Sequence, residues 1–231
     1  MYRVNCEWGP QGVQKLSELC DVTIMVDVLS FSTCVDIAAG RSIHIYPYSY
    51  SGSWEDAAAY AEKHGAALAR RRGQGGFSLS PAAFTTAPYV ERVVLPSPNG
   101  STLTLMAAEK SDVFCGCLRN AAAVAGACAE YGSVGVVPAG EKWSDRSLRP
   151  SLEDWLGAGA IISHLSGSWS PESRAAAVAF EALRDNLLET LVAIPSGVEL
   201  IEWGYSQDVE IAAQYNVSAT APYFRDSAYR W

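Results

Sequence analysis

Apolar residues along this chain recur with two rhythms: short β-branched runs that predict strands, and longer runs at three-to-four-residue spacing that predict helices. Tyr2 to Trp8 reads as a first strand, and Val13, Leu16 and Leu19 mark a modest amphipathic helix over 11–19. Thr23 to Val28 is a short apolar run fit for a strand, followed by a helix over Phe31 to Ala39 that closes at Gly40. Ser42 to Tyr46 alternates as the next strand and Pro47 ends it. The first fifty residues therefore read β-α-β-α-β, the α/β signature.

The same alternation continues. Ser53 to His64 predicts a capped, Ala-rich helix stopped by Gly65, and a short strand precedes the arginines at 70–72. Phe77 to Pro81 reads as an irregular loop, and Arg92 to Leu95 as a strand. A turn at 96–100 leads to a helix to Lys110. Strands follow at 112–116 and 133–138, with an Ala-rich helix between them through Tyr131. Beyond a polar loop at 141–149, Ser151 is the natural N-cap of a helix through Leu165. The stretch 151–214 is mostly helical, and the aromatic tail 216–231 reads as irregular, packing across the body or into a subunit contact. No internal repeat or low-complexity linker divides the chain, so one domain over 1–231 is expected.

Polar residues placed where apolar runs end are the candidates for chemistry. Asp27 interrupts the second strand's run, with Ser30 and Ser32 as possible caps of the following helix. An acid there suits a metal ion or a bound anion, because ligands of open α/β sheets sit beyond the carboxyl ends of strands. A hydrogen-bonded turn acid is the alternative. Glu153 and Asp154 fall in the first turn of a helix, where the macrodipole favours acids, and adjacent carboxylates also suit magnesium. Arg70, Arg71 and Arg72 precede three glycines, a pairing of cation and flexible backbone that suits phosphate or sulfonate; a solvated basic turn is the alternative. Asn99 and Ser101 stand before a helix N-terminus and can donate to an anion.

Composition narrows the partners. Of 231 residues 49% are hydrophobic, enough for a sizeable core, and the formal net charge is −8. That balance argues against nucleic acid and anionic membranes, and makes any phosphate site depend on local cations, helix N-termini or a metal. No apolar run is long enough to cross a membrane and the N-terminus lacks a signal-peptide core, so a cytoplasmic protein is expected. Six cysteines do not amount to a disulfide scaffold. Cys20, Cys34 and Cys128 read as buried hydrophobes, and Cys115-Gly-Cys117 lacks partners for zinc. The histidines at 44, 64 and 164 are scattered without ligand spacing.

Several separated stretches together resemble the 2-phosphosulfolactate phosphatase family of coenzyme M biosynthesis. They are Val26-Asp-Val-Leu, Asn99-Gly-Ser, Arg119-Asn-Ala, Ala139-Gly140 and Ser151-Leu-Glu-Asp-Trp-Leu-Gly-Ala-Gly159, and the similarity runs from about residue 4 to about 220. The resemblance implies a three-layer α/β/α fold with a mixed or mostly parallel sheet, and magnesium-dependent hydrolysis of a small anionic phosphate monoester. It places Asp27, Glu153 and Asp154 as catalytic and metal-holding acids, with Asp27 open as metal ligand or nucleophile. Arg72, Asn99 and Gly100 match the family's anion-binding positions, and Ser101, Ser30 and Arg119 complete the expected phosphate surroundings. Three departures stand out: Ser30 replaces the family's usual Arg, Arg71 replaces a Glu, and 77–81 is a shortened loop. A catalytically weakened relative that binds an anionic metabolite, or serves as a subunit, is the alternative. Association into a homo-oligomer is compatible with the sequence.

Overall fold

The structure is a computed structural model that describes residues 2–50 and 53–231. Strand and helix alternate through the first two thirds of the chain: β1 (Val4–Cys6), α1 (Gly9–Leu19), β2 (Val22–Val26), α2 (Phe31–Gly40), β3 (His44–Ser49), α3 (Trp54–Lys63) and β4 (Ala67–Leu68). Then come α4 (Pro81–Thr86), β5 (Arg92–Ser97), α5 (Gly100–Ala107), β6 (Asp112–Gly116), α6 (Ala121–Ala127) and β7 (Val134–Pro138). A small ribbon, β8 (Glu141–Lys142) and β9 (Leu148–Arg149), leads into α7 (Leu152–Ser163), α8 (Pro171–Leu183), α9 (Leu187–Ala193), α10 (Pro195–Glu202) and α11 (Ser206–Ala212). The chain closes with β10 (Tyr223–Arg225) and β11 (Ala228–Arg230). Ser53 caps α3 as the sequence predicts, accepting from the Asp56 N–H at 3.2 Å. The loop expected at 77–81 continues into a helix, α4, which Ser80 caps through the Ala83 N–H and Pro81 opens.

Nine strands form one sheet in the order β1-β7-β2-β6-β10-β11-β3-β5-β4. β1, β7, β2 and β6 pair in parallel, and so do β3, β5 and β4. The tail expected to be irregular is the seam between these halves. β10 and β11 form an antiparallel hairpin; Tyr223 lies opposite Phe114 of β6, and Tyr229 opposite Ile45 of β3. Its turn carries positive φ at Asp226 (50°) and Ser227 (64°), without the Asn-Gly pair that marks such turns in a sequence.

Side-chain alternation on the strands sorts the core into layers. Val22, Ile24 and Val26 of β2 face Leu156 and Ile161 of α7 and Phe180 of α8. Met25 points the other way, into a cluster with Val13 and Leu16 of α1, Phe31 and Val35 of α2, and Leu103 of α5. Ile45, Val93 and Leu95 of the second half-sheet join that same cluster, so α2 and α5 are packed against both halves. Tyr46 and Val94 cover the opposite face with Ala61 of α3. Each large side chain so buried contributes about 1.5–3 kcal/mol relative to exposure. The result is the three-layer α/β/α arrangement with a mostly parallel sheet. All six cysteines are free and buried, and among the described residues no helix is long and apolar enough to cross a membrane.

The seating of α7 brings its first turn to the carboxyl end of β2. A Cβ on Gly157 would lie 2.6 Å from Cγ2 of Val28 and 2.8 Å from Cγ1 of Val26. Only a residue without a side chain lets the start of α7 lie against the end of β2.

Candidate active site

Asp27 follows β2, and its carboxylate closes the N-termini of two helices. Oδ1 accepts the Phe31 N–H at 3.1 Å and Oδ2 the Gly100 N–H at 2.9 Å. These residues begin α2 and α5, and the first N–H groups of a helix have no partner within it. Neither serine expected as a cap of α2 fills that role. Ser30 makes no capping bond, while Ser32 Oγ accepts from the Asp27 N–H at 2.9 Å and donates to the Met25 carbonyl at 3.3 Å. Asp27 takes their place because it reaches the free N–H groups of both helices at once.

Asp154, in the first turn of α7, makes the matching pair of bonds. Its Oδ1 accepts the Val28 N–H at 2.7 Å and its Oδ2 the Gly140 N–H at 2.9 Å. Ser151, the expected N-cap, forms no capping bond through its side chain. Glu153 is buried in the same first turn. Beside Gly140, Glu141 accepts from Asn99 Nδ2 at 3.0 Å. Asn99 precedes Gly100, so the circuit closes: Asp27, Asp154 and Glu141 lace together the loops that follow β2, β5 and β7.

Crowding of carboxylates shows in their proton affinities. Burial, then repulsion from Glu141, pushes Asp27 up from 3.8 to about 7. Burial, then Asp27 and Glu153, pushes Asp154 well above the usual carboxylate range. Glu153 and Glu141 are also raised, burial again being the largest cause. Arg149 of β9 opposes this on both glutamates, and its Nη2 is held by Ser196 Oγ at 3.1 Å.

Two concave regions lie near the rim; Glu141 lines the first, and Asp27, Glu153 and Asp154 line neither. A cavity of about 290 Å³ is lined by Asn99, Gly140, Glu141, Lys142 and Arg146. A wider cleft of about 620 Å³ holds all three arginines of the triplet, and Pro98 lines both. Arg72 is the member that reaches toward the rim, through Ser30. Its Nη2 donates to Ser30 Oγ at 3.0 Å, its Nε lies 3.6 Å from Oδ2 of the fully buried Asp208, and its guanidinium sits 5.4 Å from the Tyr205 ring centre.

The model of the 2-phosphosulpholactate phosphatase family matches residues 10–227. The chain belongs to this family. It is 31% identical over 217 residues to the 2-phosphosulfolactate phosphatase of Methanothermobacter thermautotrophicus, covering 91% of this chain and 88% of that one. It is 26% identical over 218 residues to the enzyme of the same name from Methanocaldococcus jannaschii, covering 90% and 91%. A probable 2-phosphosulfolactate phosphatase of Carboxydothermus hydrogenoformans is 33% identical over 220 residues, covering 90% and 89%.

Within this 2-phosphosulfolactate phosphatase framework the sequence-derived acids Asp27, Glu153 and Asp154 lie together, with Arg72 and Ser30 beside them. Two of the residues expected around the phosphate are engaged elsewhere. Arg119 Nε is paired with Asp36 of α2 at 2.8 Å, and Nη1 donates to Gln214 and to the Ile211 carbonyl, so it clamps α2 to the end of α11. The Ser101 hydroxyl is fully buried and donates to the Leu95 carbonyl at 2.7 Å. Asn99 Nδ2 and the Gly100 N–H donate to carboxylates of the rim. Sequence reasoning missed Glu141 and Arg149, although the charged loop after the 133–138 strand marked the place. It missed Asp208 and Ser196 altogether, since single polar residues in helical stretches carry no signal of what they face.

Proposed function

We propose that this chain is a magnesium-dependent phosphatase of the 2-phosphosulfolactate phosphatase type. Its substrate is a phosphate monoester whose organic part bears a second negative group. The observation that carries the reading is the closed circuit of carboxylates, Asp27 and Asp154 buried and Glu141 partly so, with Arg72 held nearby through Ser30. Among the described residues no three His, Cys, Asp or Glu groups are arranged as a ready metal cage, and magnesium does not ask for one. It binds through one or two carboxylates and keeps several waters. The donor set fits: Asp27, Glu153, Asp154 and Glu141 are hard oxygen ligands, and burial first, with repulsion between acids second, raises their proton affinities. One or two of Asp27, Glu153 and Asp154 would hold the ion, with Glu141 adjoining. When bound, magnesium neutralises phosphoryl charge and makes a bound water more acidic.

The chain's own groups supply the rest. Asp27 and Asp154 fix the rim, each through two backbone N–H groups, and each carboxylate oxygen retains a second lone pair. Burial raises the proton affinities of Glu153 and Glu141, a direction that suits accepting a proton from the attacking water. Arg72 and Arg149 offset charge on the phosphoryl oxygens. The purified protein, assayed with p-nitrophenyl phosphate and 2-phosphosulfolactate, should hydrolyse at least one ester only when magnesium is present. Asp27→Asn should lower kcat by about a hundred-fold or more, the scale of losing one placed catalytic group. Undiminished turnover in that variant overturns the assignment.

A further inference from the structure

The cleft beside the rim is built for more than a three-carbon acid. Four aromatic side chains line it, Tyr50, Trp54, Trp203 and Tyr205, together with the three arginines. Its volume of about 620 Å³ falls in the range of sites that take drug-sized ligands. Trp203 is 59% exposed at the end of α10, and among the described residues no ring or guanidinium is stacked on it. The other rings are already engaged: Arg71 lies 5.7 Å from the Trp54 ring centre, Arg72 5.4 Å from that of Tyr205, and Tyr50 packs on Trp54 at 5.3 Å. An aromatic wall with embedded guanidiniums attracts a flat ring that carries negative charge, by stacking and by charge together. A small aliphatic sulfonate needs the cations but not the rings.

We infer that the substrate is an aromatic phosphate monoester with a further anionic substituent. Its ring lies along Trp203, its substituent meets Arg70 and Arg71, and its phosphate reaches the carboxylate rim past Arg72 and Pro98. This rests on the phosphatase reading and sharpens its substrate class. Arg72 joins the two regions, since its Nη2 reaches Ser30 near Asp27 while its guanidinium lines the cleft.

The intact chain with magnesium is to be assayed on carboxyphenyl phosphate, phenyl phosphate and 2-phosphosulfolactate. Carboxyphenyl phosphate should show a kcat/KM at least about ten-fold above that of 2-phosphosulfolactate, the step that one aromatic contact supplies. Trp203→Ala should raise KM for the two aryl esters by about the same factor, with a smaller change for 2-phosphosulfolactate, and Trp203→Phe should restore it. Arg71→Gln should raise KM for carboxyphenyl phosphate and leave that for phenyl phosphate near its starting value. A preference for 2-phosphosulfolactate, or an equal loss on all esters in Trp203→Ala, overturns the inference. The phosphatase reading is separated by titrating hydroxybenzoate, the dephosphorylated product, calorimetrically. If no ester is turned over, the phosphatase reading falls. Saturable binding lost in Trp203→Ala then still supports the aromatic cleft, and no binding overturns the cleft as well.

Discussion

Asp27 and Asp154 each accept two backbone N–H groups while sitting among other acids, so the shape of the rim and its charge are bound together. The N–H groups favour the ionised carboxylates, and burial and mutual repulsion favour the protonated ones. For Asp27 the second influence prevails, with a proton affinity near 7 against 3.8 when hydrated. Between those values the folded protein retains a proton that the unfolded chain has released. This contribution to stability is therefore complete below the usual carboxylate range and is lost as pH rises to about 7. Glu153, Asp154 and Glu141 are raised too and act in the same direction. Metal-free protein followed by calorimetry should show a falling Tm between about pH 5 and pH 8. Saturating magnesium should lift the Tm most at the upper end, because a cation favours the charged forms. A Tm that rises steadily over that interval in metal-free protein counters this account.

Among the elements, α2 shows how one helix serves two purposes. Its first residue bonds to Asp27, and its Asp36 is the buried partner of Arg119 and of the Thr220 hydroxyl at 2.7 Å. Arg119→Ala leaves Asp36, 1% exposed, without its cation and should destabilise the fold by about 3–5 kcal/mol. Urea titration measures that loss. The kcat of the molecules that remain folded should be unchanged, which separates a clamp from a phosphate ligand. Arg119 was expected as a ligand through the resemblance of Arg119-Asn-Ala to the family, and its partner Asp36 is far away along the chain. The βα alternation was legible in local runs and Asp27 stood out as an acid at the end of one, whereas Glu153 and Asp154 read as first-turn helix acids and were grouped with Asp27 through the family resemblance. Glu141 and Arg149 were not singled out, since nothing local separates them from the other charges of their loop. The hairpin β10–β11 was hidden for a different reason. Its strands are three residues each, too short for alternation to register, and its turn has no glycine.

At the scale of the molecule that hairpin joins two parallel half-sheets into one. Tyr229 is 1% exposed, its ring lies near those of Phe31 and Phe224, and its hydroxyl is 2.8 Å from Thr104 Oγ1. It thus touches both helices whose first N–H groups end on Asp27. Tyr229→Ala should cost about 3–5 kcal/mol, as large aromatic truncations in cores do. Because the seam and the rim share α2 and α5, the same variant should also depress kcat although Tyr229 makes no contact with the acids. Denaturation and turnover measured on one preparation test both statements.

The seam also bears on how quickly the native state is reached. Residues 223–230 must find strands laid down near residues 45 and 114, and ordering a chain over such separations comes before any gain from the contacts. The first half-sheet already joins strands far apart in the chain, β1 with β7 and β2 with β6, and the hairpin has to dock between its edge and that of the second half-sheet. Replacing Asp226-Ser227 by Asn-Gly, the pair suited to two successive positive φ angles, should therefore speed refolding from urea in stopped-flow experiments. A refolding rate indifferent to that replacement means that the rate-limiting event lies elsewhere in the chain.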